Sequence, residues 1–201
     1  LKNRICDWQI TEQEIESIPT LGIVGEPVQP FVMLALEDAP ERHRLRSEIY
    51  AQTKFSQVSL PQSPKPAKKT SRLHLGYFSA DFYNHAVMNL MGKIFEMHDR
   101  TNFCVHAFSI GAPKNDETRK QLTGKFDKFH DVFDETDRQI AELARSEGID
   151  IAIDLNGYTE NHRSGIFAYR AAPIQINYLG YPGTMGADFM DYIIADRIVI
   201  P

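Results

Sequence analysis

The sequence predicts an α/β protein, a Rossmann-like parallel sheet preceded by a small helical leader. Three observations carry this. From residue 72 onward, strand-like apolar runs alternate with stretches of helical spacing, the pattern of βαβ units and a sheet covered by helices. Before that region lies QVSLPQSPKPAKKTS, with Pro61, Pro64 and Pro66 among three lysines; prolines at this density favour extended, solvated chain. The composition of the 201 residues, 42% hydrophobic, 24% charged and 10% aromatic, is that of a globular domain and excludes collagen-like, coiled-coil and disordered chains. The expected organisation is a helical leader over 1–57, a linker over 58–71 and a Rossmann-like lobe over 72–201.

Each element has its own signal. Thr11 with Glu14 forms a capping-box pattern, followed by Ile15 and Ile18 at helical spacing. The turn-rich stretch Pro19–Pro30 separates this short helix from a longer one between Pro40 and Lys54. Leu45, Ile49 and Tyr50 mark the apolar stripe of that helix, with Arg42, Arg44, Arg46 and Glu48 expected mostly in solvent. Such a leader lacks a core of its own and must pack on something else. Strands are expected at Leu73–Ser79, Phe103–Ser109, Ile149–Leu155, Ile174–Leu179 and Tyr192–Ala195, with a short apolar segment at Lys128–Phe133. Helices are expected at Val87–Met97, Glu117–Leu122 and Gly165–Tyr169. A further helix, Thr136–Glu147, has the clearest caps: Thr136 with Gln139 at its start and Gly148 at its end.

Charge and cysteine content narrow the function. Twenty-two basic and 27 acidic residues give a net charge of -5, which argues against a general nucleic-acid binder. Cys6 and Cys104 form no disulfide framework, and a reduced, cytoplasmic context is the simplest. No run of 18 apolar residues predicts a membrane span, and no signal peptide is apparent. A first residue Leu1, and a last residue Pro201 directly after an apolar run, read as a piece of a longer polypeptide.

In an open parallel sheet, ligands bind beyond the carboxyl ends of the strands. Three segments qualify. SADFYNHAV, residues 79–87, leaves a strand and enters a helix; Asn84 is placed to cap that helix, and the helix amino terminus favours an anion. His85 there can accept a proton or touch a phosphate. Equally, Asp81 and Asn84 can satisfy turn and cap amides while His85 merely packs. DLNGYTENHR, residues 154–163, has an Asn156-Gly157 turn signal with Asp154, His162 and Arg163 nearby; a plain βα loop explains it as well. LGYPGTMG, residues 179–186, has glycines that permit close backbone approach, or simply turns. It is neither a Walker loop nor a dinucleotide fingerprint. With no HxxxH or HxH spacing, no metal site is expected. Tyr77, Phe78, Phe82 and Tyr83 read as core.

Together SADFYNHAV, DLNGYT, FAYRAAPIQINYLGYPGTMGADFMDYIIAD and the early CDW resemble the O-linked N-acetylglucosamine transferase family, glycosyltransferase family 41, which includes the bacterial SPINDLY-like proteins. The resemblance covers nearly the whole chain and is weakest in the linker. It implies the amino-terminal lobe of a GT-B glycosyltransferase, with tetratricopeptide repeats upstream and a carboxyl-terminal lobe that holds most of the nucleotide site, including a lysine on the diphosphate. It implies a nucleotide sugar, UDP-GlcNAc, and an acceptor protein as partners, with inversion at the anomeric carbon and neither cofactor nor metal. Without the second lobe, this stretch alone is expected not to transfer sugar.

By the same resemblance, His85 and Asp81 are the catalytic candidates and Asn84 an acceptor contact. Leu179, Gly180, Tyr181, Pro182, Gly183 and Thr184 form a loop over the sugar, and Met33 and Leu34 reach the sugar pocket. The chain departs from the animal members in two places. It has no histidine between Arg4 and Arg42, and Ala86-Val87 replaces Pro-Thr in the substrate-binding stretch. The second departure brings in plant SPINDLY and GDP-fucose as an alternative donor. A non-catalytic module that binds a protein partner through its cleft is the alternative of another class.

Overall fold

The computed structural model describes residues 12–56 and 71–200. Thr11, the CDW stretch and the body of the proline-rich linker lie outside the described residues. The helices are α1 (Glu12–Ser17), α2 (Pro30–Met33), α3 (Pro40–Phe55), α4 (Ala86–Met97), α5 (Glu117–Thr123), α6 (Asp137–Ser146) and α7 (Gly165–Ala168). The strands are β1 (Leu73–Ser79), β2 (Phe103–Ser109), β3 (Lys128–Asp131), β4 (Ile151–Asp154), β5 (Ile174–Tyr178) and β6 (Tyr192–Ile194). All neighbouring strands are parallel, in the order β3-β2-β1-β4-β5-β6. The strand order reverses between β1 and β4, and a doubly wound sheet binds its ligands at that switch point.

Because successive side chains of a strand face opposite ways, β1 feeds two cores. Phe78 stacks on Phe108 with ring centroids 4.4 Å apart and packs with Ile140, Ala144, Ile166 and Phe167 of α6 and α7. Tyr77 lies on the other face with Val105, Ile153 and the α4 residues Met88, Met91 and Phe95. Burying each such large apolar side chain contributes about 1.5–3 kcal/mol. The helix caps follow the sequence at α6, where Thr136 and Gln139 close a reciprocal capping box and Gly148 turns the chain with φ +72°.

The leader departs from its pattern in two ways. A short helix, α2, for which no expectation was made, begins at Pro30, where the turn-rich stretch ends; the fixed φ of proline suits a first helical position. On α3, Arg46 is not in solvent: it is fully buried, while Leu45 is 40% exposed. Segment 18–21 folds over the helix, so that the Arg46 guanidinium donates to the carbonyls of Ile18 and Leu21, each at 2.7 Å, and pairs with Glu37. Five donors in a planar fork allow arginine to be buried this way.

The other side of α3 packs on the sheet lobe. The rings of Tyr50 and Tyr158 meet edge to face at 5.0 Å, as do those of Phe55 and Phe189 at 5.5 Å. Gly186 sits against the Ser47–Glu48 backbone so closely that a Cβ would lie 2.6 Å from the Glu48 nitrogen.

Candidate active site at the carboxyl rim of the sheet

The carboxyl ends of β1, β4 and β5 lie side by side, and the loops that follow them form one rim. The chain leaves β1 through Ala80 and Asp81, leaves β4 through Leu155 and Asn156, and leaves β5 through Leu179 and Gly180. Asn156 holds the first two loops together. Its side-chain oxygen accepts from the Ala80 amide at 2.8 Å, and its side-chain nitrogen donates to Asp81 Oδ2 at 3.0 Å and to Thr159 Oγ1 at 3.3 Å. Asn156 is 1% exposed, so a buried amide with every site used fixes the Asp81 carboxylate. Gly180 seats the third loop, since a Cβ there would lie 1.8 Å from the Leu155 carbonyl oxygen.

Asp81 also accepts from the Tyr83 hydroxyl at 3.4 Å. Its Oδ2 lies 3.8 Å from His85 Nδ1. His85, and not Asn84, is the N-cap of α4: its Nδ1 accepts from the Val87 amide at 3.3 Å. Asn84 lies one position outside the helix, and its backbone is held there from α5. The Asn84 backbone N–H donates to Asp116 Oδ2 at 2.8 Å, and Asp116 at the same time caps α5 by accepting from the Arg119 backbone amide. Arg119 adds bonds to the Phe82 carbonyl and the Ser109 hydroxyl. The Asp81–His85 loop is therefore braced from both sides, and α4, twelve residues long, points its positive end at the rim.

The other sequence candidates divide. Leu179 (φ +69°), Pro182 and Thr184 are exposed, and Gly183 lies against the Tyr181 ring. Tyr181 itself is buried, its ring 5.6 Å from that of Tyr158. Met33 is fully buried, and Leu34 packs at the edge of the same tyrosine cluster; both hold the leader in place. Gln29 ties that segment to the β4 loop through the carbonyls of Tyr158 and Thr159. Ala86 is exposed and Val87 half-buried at the start of α4. His162 and Arg163 stand apart from the rim chemistry. His162 bridges Tyr50 and Ser164, and burial lowers its pKa; Arg163 clamps Asp137 and the carbonyls of residues 132, 133 and 135.

Beneath the rim lies Asp154, 2% exposed. One carboxylate oxygen accepts from the amides of Asn156 and Gly157 at 2.9 and 3.1 Å; the other has no hydrogen-bond partner among the described residues. Burial pushes its pKa up to about 6, against the pull of those two amides and of the nearby Asn177 side chain. Asn156 as the bridge between strands was missed from sequence, where Asn-Gly announces only a turn. An open cleft of about 1120 Å³ lies on the β5–β6 side, lined by Gln52, Asn177, Pro182, Thr184, Met190 and Tyr192 among others. It shares the Tyr181–Thr184 loop with the rim, but Asp81 and His85 do not line it. The switch point and its titratable groups, more than the cleft's volume, mark the site.

Comparisons with known proteins bear on the family and the fold. The model of glycosyl transferase family 41 matches residues 51–201. A probable UDP-N-acetylglucosamine–peptide N-acetylglucosaminyltransferase, SEC, of Arabidopsis thaliana is 36% identical over 200 residues, 96% of this chain and 20% of that protein. The UDP-N-acetylglucosamine–peptide N-acetylglucosaminyltransferase of Caenorhabditis elegans is 42% identical over 131 residues, 65% of this chain and 11% of that protein. Among solved structures, a mutant O-GlcNAc transferase of Thermobaculum terrenum superposes with a TM-score of 0.74 at 30% identity, over 92% of this chain and 37% of that one. The chain thus spans a fifth or less of these two curated relatives.

Proposed function

Because the chain belongs to glycosyl transferase family 41, we propose that it is the acceptor-side lobe of an inverting protein O-glycosyltransferase. The reaction is transfer of N-acetylglucosamine from UDP-GlcNAc to serine or threonine hydroxyls of cytoplasmic proteins. The observation that carries this reading is the placement of Asp81 and His85 together at the β1/β4 switch point, on a carboxylate fixed by Asn156. A scaffold for protein binding needs neither group there.

Transfer requires that the acceptor hydroxyl lose its proton, that the anomeric carbon be held in line, and that the leaving diphosphate be stabilised. With Nδ1 accepting from the Val87 amide, the neutral His85 ring carries its proton on Nε2 and donates from there. When the ring turns its Nδ1–H to Asp81, Nε2 becomes the acceptor and can take the hydroxyl proton. Asp81 selects between these two tautomers. The amino terminus of α4 supports the phosphate charge. The loop Leu179–Thr184 supplies the wall over the sugar. A carboxyl-terminal lobe supplies the rest of the nucleotide site, and the transfer step uses neither a metal nor a cofactor.

A second reading, fucose transfer from GDP-fucose, is favoured by Ala86-Val87 at the start of α4, where the animal members carry Pro-Thr. A transferase assay on a polypeptide that includes the second lobe decides, with UDP-GlcNAc and GDP-fucose offered in parallel. Incorporation of N-acetylglucosamine is expected. Fucose incorporation alone selects the second reading, and incorporation from neither donor leaves a protein-binding module.

A further inference from the structure

At the opposite, amino-terminal edge of the sheet, three metal-binding side chains meet. His74 on β1 and Cys104 on β2 are register partners, and His106 follows Cys104 by two residues on the same face. Gly76, the register partner of His106, carries no side chain, and Ile149, Phe108 and Phe78 close in over it, within 3.1–3.2 Å of where a Cβ would lie. Cys104 Sγ and His106 Nε2 are 3.4 Å apart. One ligand atom from each of the three residues lies within 4.8 Å of the others. His74 Nδ1 is buried and has no hydrogen-bond partner among the described residues. Cys104 and His106 are 5% and 0% exposed.

We propose that His74, Cys104 and His106 form a zinc site that pins β1 to β2. Zinc–sulfur and zinc–nitrogen bonds of about 2.3 and 2.0–2.1 Å set the sulfur–nitrogen edge of a tetrahedron at about 3.5 Å, and the Cys104–His106 pair already stands close to that separation. One thiolate with two imidazoles is a donor set that suits zinc; on binding, the thiol proton passes to solvent. The fourth position is left to water. The other nitrogen of His106, Nδ1, lies 3.5 Å from His130 Nε2 and 4.0 Å from Glu147 Oε2, and Lys128 in turn holds Glu147 at 2.5 Å. Such outer partners orient a ligating histidine and fix its tautomer, here with the Nε2 lone pair turned to Cys104. The site lies about 17 Å along β1 from Ser79, five residues at 3.3 Å each, so it is structural and independent of the transfer chemistry proposed above. Motif spacing does not reveal it because its ligands come from adjacent strands.

Cobalt titration of the reduced, metal-free chain tests this. The expected result is a one-to-one complex with the visible bands of four-coordinate cobalt and a near-ultraviolet thiolate-to-cobalt band, both removed by added zinc. Cys104→Ser should abolish the thiolate band and Cys6→Ser should keep it. His74→Gln should weaken binding at least tenfold, and Glu147→Gln by roughly 10–100-fold, the usual effect of losing an outer-sphere partner. Circular dichroism of the metal-free variants checks that they fold. If Cys104→Ser does not fold, the half-buried His74→Gln and Glu147→Gln variants decide. No thiolate band, a band lost with Cys6 instead of Cys104, or unchanged affinity in folded His74→Gln would overturn the site.

Discussion

The two ends of the parallel sheet place polar groups in different ways. At the carboxyl rim, the groups sit on loops, and the loops bind one another: Asn156 satisfies Ala80, Asp81 and Thr159 at once. Gly180 is pressed onto the Leu155 carbonyl. At the amino edge, the groups sit on the strands themselves, positioned by ladder hydrogen bonds, and His74 Nδ1 is left with no partner among the described residues. Loop-borne groups stand clear of the ladder and face a substrate at the rim; strand-borne groups are held within the ladder itself. The contrast shows why a doubly wound sheet does chemistry at one end and can serve as a rigid frame at the other.

The largest effect should come from the rim. In a protein carrying both lobes, His85→Ala should lower turnover roughly 10²–10⁴-fold, the typical contribution of a positioned acid or base, with the fold intact. Near-normal turnover in a steady-state assay would reduce His85 to a helix cap.

Asp154 should shape the pH dependence of stability. Its folded pKa of about 6 lies above the unfolded value of about 3.9, so the native state binds the extra proton between the two. The contribution is fully present below the unfolded value and is lost as pH rises through the folded one. The loss reaches about 3 kcal/mol at most. Asp154→Asn keeps an oxygen for the Asn156 and Gly157 amides and turns an amide toward the buried Asn177 side chain beside it. Denaturant melts at mildly acidic and neutral pH should show the variant gaining on the parent as pH rises. Parallel profiles would mean that Asp154 is ionised throughout.

A pair of glycine substitutions sharpens the contrast in packing. Gly180→Ala should cost about 1–3 kcal/mol, because its Cβ meets backbone that cannot rotate away. Gly92→Ala, inside α4 with its nearest neighbours at 3.9 Å, should stabilise by about 0.4–1 kcal/mol. Thermal melts that rank the two the other way would contradict the packing of the β5 loop on β4.

What the sequence made legible follows the same division between local and distant causes. β1 and β2 lie at the expected residues because buried parallel strands read as continuous apolar runs. The start of α6 was readable because a capping box lies within four residues. Arg46 was not, because its partners are 25 and 28 residues away and no helical pattern distinguishes a charge bound by carbonyls from one in water. Asn156 and the His74–Cys104–His106 cluster were missed for the same reason: their geometry exists only once β1 has paired with β4 and β2. Asp81 and His85 were legible as a pair, but the choice between Asn84 and His85 as cap was not, since it depends on Asp116 reaching across from α5.

That choice supplies the smallest and most discriminating test. If His85 both caps α4 and takes part in chemistry, its two roles should separate. His85→Ala removes the acceptor for the Val87 amide and should cost about 0.5–1 kcal/mol of stability, the lower part of the range for lost caps. His85→Asn supplies a preferred capping side chain, so its stability should match the parent's within a few tenths of a kcal/mol. Asparagine cannot exchange a proton near neutral pH, so turnover of the two-lobe protein should fall as far with Asn as with Ala. Melting curves and turnover on the same three proteins read the two roles independently. If asparagine restores both, His85 acts through the helix end alone, and the proton acceptor for the hydroxyl must be sought in Asp81 or on the donor itself.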